Sequence, residues 1–215
     1  MRLNRFGLTS AAALCVAGAS IAQFYGGDYD GRSGLAVFRD AYTYEDFYVD
    51  GAGWTVTGIY ANVLVKQQFA RMNWEIRSGM TEGDGGTLEA SGSGPITQIL
   101  TGRIGGNNYP EYELRISGLN IDLIPGAYYV GVNVASSSYA WVSTTMGANG
   151  FGSPLGNGNS WFDSAYFGFD FASTDSDEIF GPGFWDFSYG VVPEPATLAA
   201  LGVALAGLAA CRRRS

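Results

Sequence analysis

A two-residue alternation of apolar and polar side chains runs through most of this 215-residue sequence, and it limits the possible folds more than any other feature. Between residues 111 and 117, Tyr112, Leu114 and Ile116 alternate with charged or small polar residues. Because successive side chains of a β-strand point to opposite faces, this segment has one dry and one wet face. No segment of useful length between residues 23 and 192 has a helical period, so the alternation predicts an all-β body.

The number and spacing of these segments predict the type of β-fold. Nine or ten short strands separated by Gly, Asn and Ser clusters are typical of an antiparallel β-sandwich, here jelly-roll-like. The run from Trp54 to Val65 changes face near Gly58, where a β-bulge fits. The glycine-rich stretches 79–94 and 147–159 predict long surface loops. We therefore expect residues 23–192, about 170 residues, to form one domain.

The amino terminus has the composition of a secretory signal peptide. Arg2 and Arg5 precede an apolar stretch rich in Ala, Leu and Val, and no further charge appears until Asp28. Small residues precede a polar junction, with Ala22 as the last of them. We predict a signal helix over residues 1–22, cut between Ala22 and Gln23. A buried amino-terminal helix is the alternative on the same composition.

The carboxyl terminus combines a proline-rich junction, an apolar segment and a basic cluster. Pro193-Glu194-Pro195 is followed by residues 196–211, which carry no charge, and then by Arg212, Arg213 and Arg214. A helix of this length reaches about 24 Å, short of the roughly 30 Å hydrocarbon core. Arginines after an apolar span stay on the cytoplasmic side, which leaves the body outside. The pattern predicts a marginal transmembrane helix over residues 196–211, and an ordinary permanent membrane anchor fits its hydropathy equally well.

These three parts, in this order, resemble the PEP-CTERM sorting signal, which is also catalogued as an ice-binding-protein C-terminal domain. The resemblance implies export, membrane anchoring before processing, and cleavage near Pro193-Glu194-Pro195 by an exosortase-type membrane protease. It also implies a host that makes exopolysaccharide. The body is similar to the uncharacterised all-β domains that often precede this tail, through residues that include Tyr29-Asp30-Gly31-Arg32, Asp46-Phe47, Gly53-Trp54, Ser117-Gly118-Leu119, Pro125-Gly126, Tyr128-Tyr129 and Asp186-Phe187-Ser188.

The charge of the body excludes one class of partner. Five of the 12 basic residues but only one of the 20 acidic residues lie in the two ends, which leaves 7 basic and 19 acidic residues in the body, a net charge of −12. Such a surface repels phosphate backbones, so we expect no nucleic-acid binding. It suits a soluble exported domain.

The residue inventory offers little for catalysis. The chain has no histidine, and its two cysteines, Cys15 and Cys211, lie in the terminal segments, so the body holds no thiol nucleophile and no imidazole base. Glu111 and Glu113 share one face of a strand roughly 7 Å apart, but the alternation assigns them to the wet face. Lys66, the only lysine, ends a strand pattern. We expect no enzymatic activity, no catalytic residue and no cofactor.

Two weaker candidate sites remain. Asp28 and Asp30, and separately Asp175, Asp177 and Glu178, cluster hard oxygen ligands that could bind Ca²⁺, although neither group has the full spacing of an EF-hand loop. We favour the interpretation that both groups are plain acidic loops. Trp161 follows a polar loop and is the best candidate for an exposed tryptophan, which could stack on a sugar ring. Aromatic residues at alternating positions mostly belong to the core of a sandwich, however, and we favour that interpretation.

Together these features predict an exported, non-catalytic protein of the cell envelope or extracellular matrix. Its expected partners are the secretion machinery and the exosortase-type protease, and exopolysaccharide is a further candidate. A carbohydrate-binding module is the alternative, and a glycoside-active enzyme is the weaker one. An exposed row of aromatic side chains would favour a carbohydrate-binding module, and a buried carboxylate pair in a cleft would favour a glycoside-active enzyme.

Overall fold

The computed structural model describes residues 24–194, and within them the chain forms fourteen β-strands and one short 3-10 helix. The predicted signal helix and the predicted transmembrane helix lie outside the described residues. No helix within residues 24–194 is both long and apolar enough to cross a membrane. The strands are β1 (Phe24–Tyr25), β2 (Tyr29–Ala36), β3 (Tyr42–Val49), β4 (Trp54–Leu64), β5 (Arg71–Ser78), β6 (Thr87–Pro95), β7 (Thr97–Gly105), β8 (Tyr109–Leu123), β9 (Gly126–Asn133), β10 (Trp141–Thr145), β11 (Ser160–Ser164), β12 (Phe169–Ser173), β13 (Asp186–Phe187) and β14 (Tyr189–Pro193), and the helix spans Gly106–Asn108.

The strands form two antiparallel sheets that pack as a sandwich, which confirms the predicted fold class. The eight-stranded sheet contains the successive neighbours β2, β10, β4 and β8. The six-stranded sheet contains the successive neighbours β3, β9, β5 and β6. The chain thus passes between the sheets in the order of a jelly roll. Strand β7 extends the first sheet beyond β8, and β11 and β12 extend the second beyond β3.

The alternation predicted from sequence is present where it matters most for the core. Leu114 and Ile116 of β8 are buried, and so are Val130 and Val132 of β9, which face them from the other sheet in the same apolar cluster. The register between β4 and β8 shifts between Val56 and Gly58, which confirms the expected irregularity. The core therefore lies between the sheets, as the pattern requires.

One of the predicted loops is wrong. The glycine-rich stretch 79–94 contains most of β6, which pairs with β5 at the edge of the six-stranded sheet. Its glycines are needed because bulky side chains lie against them. A Cβ added at Gly92 would lie 2.7 Å from the ring of Trp74, and one added at Gly94 would lie 2.6 Å from Ile116. The alternation pattern did not predict this strand because its glycines leave room for core side chains of other strands and contribute no apolar side chains of their own.

Candidate functional site

The carboxyl-terminal junction is built into the eight-stranded sheet. Strand β14 lies between β1 and β4, and its last residue, Pro193, is buried and pairs with Val56. Glu194 is exposed, but its backbone N–H donates to the Thr55 carbonyl at 2.7 Å. The first two residues of the Pro-Glu-Pro segment therefore belong to the folded domain. Pro195 and the three arginines at 212–214 lie outside the described residues.

The amino-terminal junction lies beside it. Strand β1 begins at Phe24, two residues after Ala22, and pairs antiparallel with β14, Phe24 opposite Val191. Phe24 is fully buried, so the domain begins immediately after the predicted cleavage position. Ala22 itself lies outside the described residues. The two predicted processing points thus adjoin neighbouring strands.

The calcium candidates near the amino terminus already have partners. Asp28 accepts hydrogen bonds from the Tyr25 hydroxyl at 2.6 Å and from Asn149 at 2.8 Å, and it pairs with Arg103 at 2.9 Å. Asp30 pairs with Arg32 at 2.7 Å. The two carboxylates are therefore each neutralised by an arginine.

The second group of calcium candidates lies in the turn after β12. Asp175, Asp177 and Glu178 are exposed there, and Asp175 accepts a hydrogen bond from Ser173. Among residues 24–194 no group of three or more His, Cys, Asp or Glu side chains is placed to hold a metal ion. The candidates remain acidic loop residues in this structure.

Of the two glutamates assigned to the wet face of β8, one is buried. Glu111 has no exposed surface, and its carboxylate accepts hydrogen bonds from Thr101 and Ser143, each at 2.7 Å, and pairs with Arg103 at 2.5 Å. The prediction for this residue was wrong because side chains from β7 and β10 cover the outer face of β8. Glu113 is half-buried and pairs with Arg115 at 2.7 Å. Both carboxylates are thus engaged by arginines.

A group of three buried acids has no counterpart in the sequence-based candidates. Glu45, Asp46 and Asp186 are 1%, 5% and 1% exposed. Glu45 lies on the core face of β3 and accepts the backbone N–H of Phe187 at 2.7 Å. Asp46 lies on the opposite face and accepts from Asn159 at 2.7 Å, while Asp186 accepts the backbone N–H of Gly158 at 2.7 Å. Asp46 and Asp186 thus hold the loop before β11 against β3 and β13, while Glu45 links β3 to β13.

Burial dominates the electrostatics of these acids. It raises the pKa of Glu45 well above its usual value, and the nearby charges of Asp186 and Asp46 raise it further. Burial also raises the pKa values of Asp46 and Asp186, although amide hydrogen bonds oppose the shift in each case. The alternation in β3, which places Glu45 on the same face as Phe47 and Val49, was the available signal for a buried acid.

Trp161, the best candidate for an exposed tryptophan by sequence, lies in a strand and not at the tip of a loop. It is half-buried in β11 and packs against Tyr44, Met80 and Tyr129 on the outer face of the six-stranded sheet. Its indole nitrogen is buried without a hydrogen-bond partner. The loop before it does not lift the ring into solvent, because β11 joins the sheet beside β3 at Ser160.

A more accessible group of aromatic rings surrounds Trp141 of β10. Trp141 stacks on Tyr139, with ring centroids 5.4 Å apart and planes 9° apart, and Tyr139 is 60% exposed. The rings of Tyr109 and Trp141 pack edge to face, with their centroids 4.9 Å apart. Trp141 and Tyr109, together with Tyr29 and Leu64, line an open cleft of about 240 Å³, which we call the Trp141 cleft.

Polar groups also line the Trp141 cleft. Arg32, Ser33 and Asn107 contribute to its walls. Lys66 stands at its rim, with its ammonium group 4.2 Å from the centre of the Tyr109 ring and 3.1 Å from the carbonyl oxygen of Asn107. The cleft thus combines aromatic surface with hydrogen-bonding groups, the usual composition of a small-molecule site.

Comparison with known proteins bears on the carboxyl terminus alone. Residues 191–214 match the model of the PEP-CTERM protein-sorting motif, and no curated protein matches the chain. The match begins inside β14, so the motif and the domain share Val191, Val192 and Pro193. Since this motif directs export and recognition by an exosortase, the chain is an exported exosortase substrate of the cell envelope or extracellular space, with a PEP-CTERM sorting motif continuous with the last strand of a jelly-roll domain.

Proposed function

We propose that this is a non-catalytic protein of the cell envelope or extracellular matrix, delivered by the secretion machinery and released from its membrane anchor by exosortase cleavage near Pro195. The observation that carries the proposal is the position of the motif. Within residues 24–194 the last strand ends at Pro193, and the Glu194 N–H donates to the Thr55 carbonyl. A cut after Glu194 therefore leaves all fourteen described strands in place.

The chemistry of the body supports a role without catalysis. The chain contains no histidine, and its body contains no cysteine. Glu111, the buried carboxylate on the outer face, is held by Arg103, Thr101 and Ser143 rather than facing a second carboxylate across a cleft. The net negative charge of the body supports solubility outside the cell and disfavours nucleic acid.

Expression of the full chain in two hosts tests the proposal. In a host with an exosortase, the mature protein is expected to lack Arg212 to Ser215. The reason is that the arginine cluster halts export and so holds the Pro-Glu-Pro segment at the outer surface of the inner membrane. In the same host with the exosortase deleted, the tail is expected to persist and the protein to fractionate with the inner membrane. Intact-mass measurement distinguishes the two. Recovery of the arginines on mature protein from the first host would leave only a permanent anchor.

Carbohydrate binding is the second candidate, and the Trp141 cleft favours it. A pyranose ring presents an apolar C–H face and a rim of hydroxyl groups. Trp141, Tyr109 and Tyr29 supply aromatic surface for the first, and Ser33 and Asn107 supply hydrogen-bonding groups for the second. An exported protein beside exopolysaccharide would encounter this ligand. The platform is therefore centred on Trp141 rather than on Trp161.

Replacing Trp141 with Ala is expected to weaken binding of the host's exopolysaccharide about tenfold, which corresponds to about 1.4 kcal/mol. Isothermal titration with the purified domain provides the measurement. Tyr48→Ala is the matched control, because Tyr48 is 50% exposed on the other sheet and should not change the affinity. Equal affinities for all three proteins, or no binding by the unaltered domain, would remove this candidate.

A further inference from the structure

Both ends of the folded domain emerge at the same place. Strands β1 and β14 are antiparallel neighbours in the eight-stranded sheet, with Phe24 opposite Val191. Moving back from Phe24 and forward from Val191 leads in the same direction along the two strands. Adjacent strands lie about 4.8 Å apart. The first residue of β1 and the last residues of β14 therefore lie at the same end of the sandwich, side by side.

This arrangement matches the predicted membrane orientation of the two terminal segments. Arg2 and Arg5 precede the apolar stretch of the signal peptide, whereas Arg212 to Arg214 follow the apolar stretch of the tail. Positive charge stays on the cytoplasmic side, so each segment has its body-proximal end outside. Both would reach the body from the membrane at one end of the sandwich, and neither needs to pass around it.

The tail has almost no spacer between the sheet and the apolar segment. Among residues 24–194, Glu194 is the last with a backbone hydrogen bond to β4, and only Pro195 separates it from residue 196 in the sequence. Even fully extended, these residues span less than about 8 Å. The β1/β14 end of the sandwich is thus held close to the membrane for as long as the tail is inserted.

The last strand is also firmly part of the core. Tyr189 and Val191 have no exposed surface, and the Tyr189 hydroxyl donates to the Thr43 carbonyl at 2.6 Å on the opposite sheet. Thr57 donates to the Val192 carbonyl at 3.1 Å. A protease that needs extended chain upstream of its cut would have to peel this strand out of the sheet, against both β1 and β4.

We infer that the body folds while its tail still tethers it to the membrane, with its β1/β14 end facing the bilayer. In this state, the pairing of β14 with β1 and β4 restricts exosortase cleavage to peptide bonds downstream of Glu194. The same pairing slows the access of the exosortase to those bonds. The inference rests on the proposed exosortase processing. Asp122 and Glu194 are exposed at this end, where Asp122 accepts a hydrogen bond from Thr55, and neither carboxylate would bind a phosphate headgroup. The tail rather than the protein surface therefore keeps this end at the membrane, so cutting frees the domain.

A spacer placed after the sheet tests this inference. Inserting (Gly-Ser)×4 followed by Pro-Glu between Glu194 and Pro195 leaves Pro193 and Glu194 in the sheet and presents a new Pro-Glu-Pro at the membrane. The half-time of processing in the exosortase-bearing host, followed by pulse-chase and intact mass, is expected to shorten at least fivefold. A Gly-Ser insert of the same length at Gly168, in the exposed turn between β11 and β12, is the control and should leave the half-time unchanged.

The outcomes separate the two proposals. Faster processing of the spacer variant alone, with a mature carboxyl terminus at or after Glu194 in the unaltered chain, supports the inference. Equal half-times for all three chains, or a mature terminus upstream of Glu194, overturn it while leaving exosortase processing intact. Absence of processing in every chain overturns the proposed function, and the inference falls with it.

Discussion

A chain that starts at Gln23 and ends at Ser188 is expected to lose cooperative folding, whereas one that ends at Glu194 is expected to keep it. The shorter chain lacks β14, which supplies the buried side chains of Tyr189, Val191 and Val192. Burial of each is worth about 1.5–3 kcal/mol, and their sum approaches the 5–15 kcal/mol that holds a typical domain together. Loss of the strand also leaves the facing backbone groups of β1 and β4 without partners.

Thermal unfolding followed by circular dichroism, together with the dispersion of amide NMR signals, measures the effect. The chain ending at Glu194 is the matched control and should unfold at the same temperature as a longer chain that retains Pro195, since it keeps every strand of the described part of the chain and the Glu194 hydrogen bond to Thr55. A sharp, cooperative unfolding transition in the chain ending at Ser188 would contradict the assignment of β14 as an integral strand.

Replacing Glu45 with Gln is expected to remove much of the loss of stability at alkaline pH. Burial and the neighbouring Asp186 and Asp46 raise the pKa of Glu45 above the ordinary 4.5, so the folded state binds the proton more tightly than the unfolded state. The resulting stabilisation is fully present below about pH 4.5 and is lost as pH rises through the folded-state pKa. Burial also raises the pKa of Tyr189, and the nearby charge of Glu45 raises it further.

Denaturant midpoints measured between pH 4 and pH 9 report this behaviour. Glutamine retains an acceptor for the Phe187 N–H but cannot ionise, so Glu45→Gln should match the unaltered protein near pH 4 and exceed its stability by about 1–3 kcal/mol at pH 9. Glu178→Gln, at an exposed position, controls for the loss of one surface charge. An alkaline decline of the same steepness in both variants and in the unaltered protein would show that Glu45 does not govern it.

Local sequence was sufficient for features that depend on neighbouring residues. Leu114 and Ile116 alternate with polar residues because one face of β8 is dry, and that pattern is visible within seven residues. The sorting motif is also a local sequence, which is why Pro193 and Glu194 could be recognised before the fold was known. Even so, the sequence placed these residues in a detached tail, and their pairing with Val56 and Thr55 was not visible in it.

Polar residues were harder to place, because their burial depends on what covers them. Glu111 has the alternation of a surface residue and becomes buried only when Arg103, Thr101 and Ser143 close over it from other strands. Trp161 follows a polar loop, yet its ring packs against Tyr44 of β3 and Tyr129 of β9. In both cases the covering residues belong to strands whose positions follow from the pairing of the whole sheet.

By itself, the sequence determined that the body is a cysteine-free, acidic β-sandwich followed by a sorting tail, because period, composition and short motifs are properties of contiguous residues. Only the tertiary structure decided that Glu45 lies against Phe187, 142 residues away, that glycines in β6 make room for Trp74, and that β1 and β14 bring both chain ends to one place. These features depend on long-range strand register, which is selected by the packing of the entire core and leaves no local pattern in the chain.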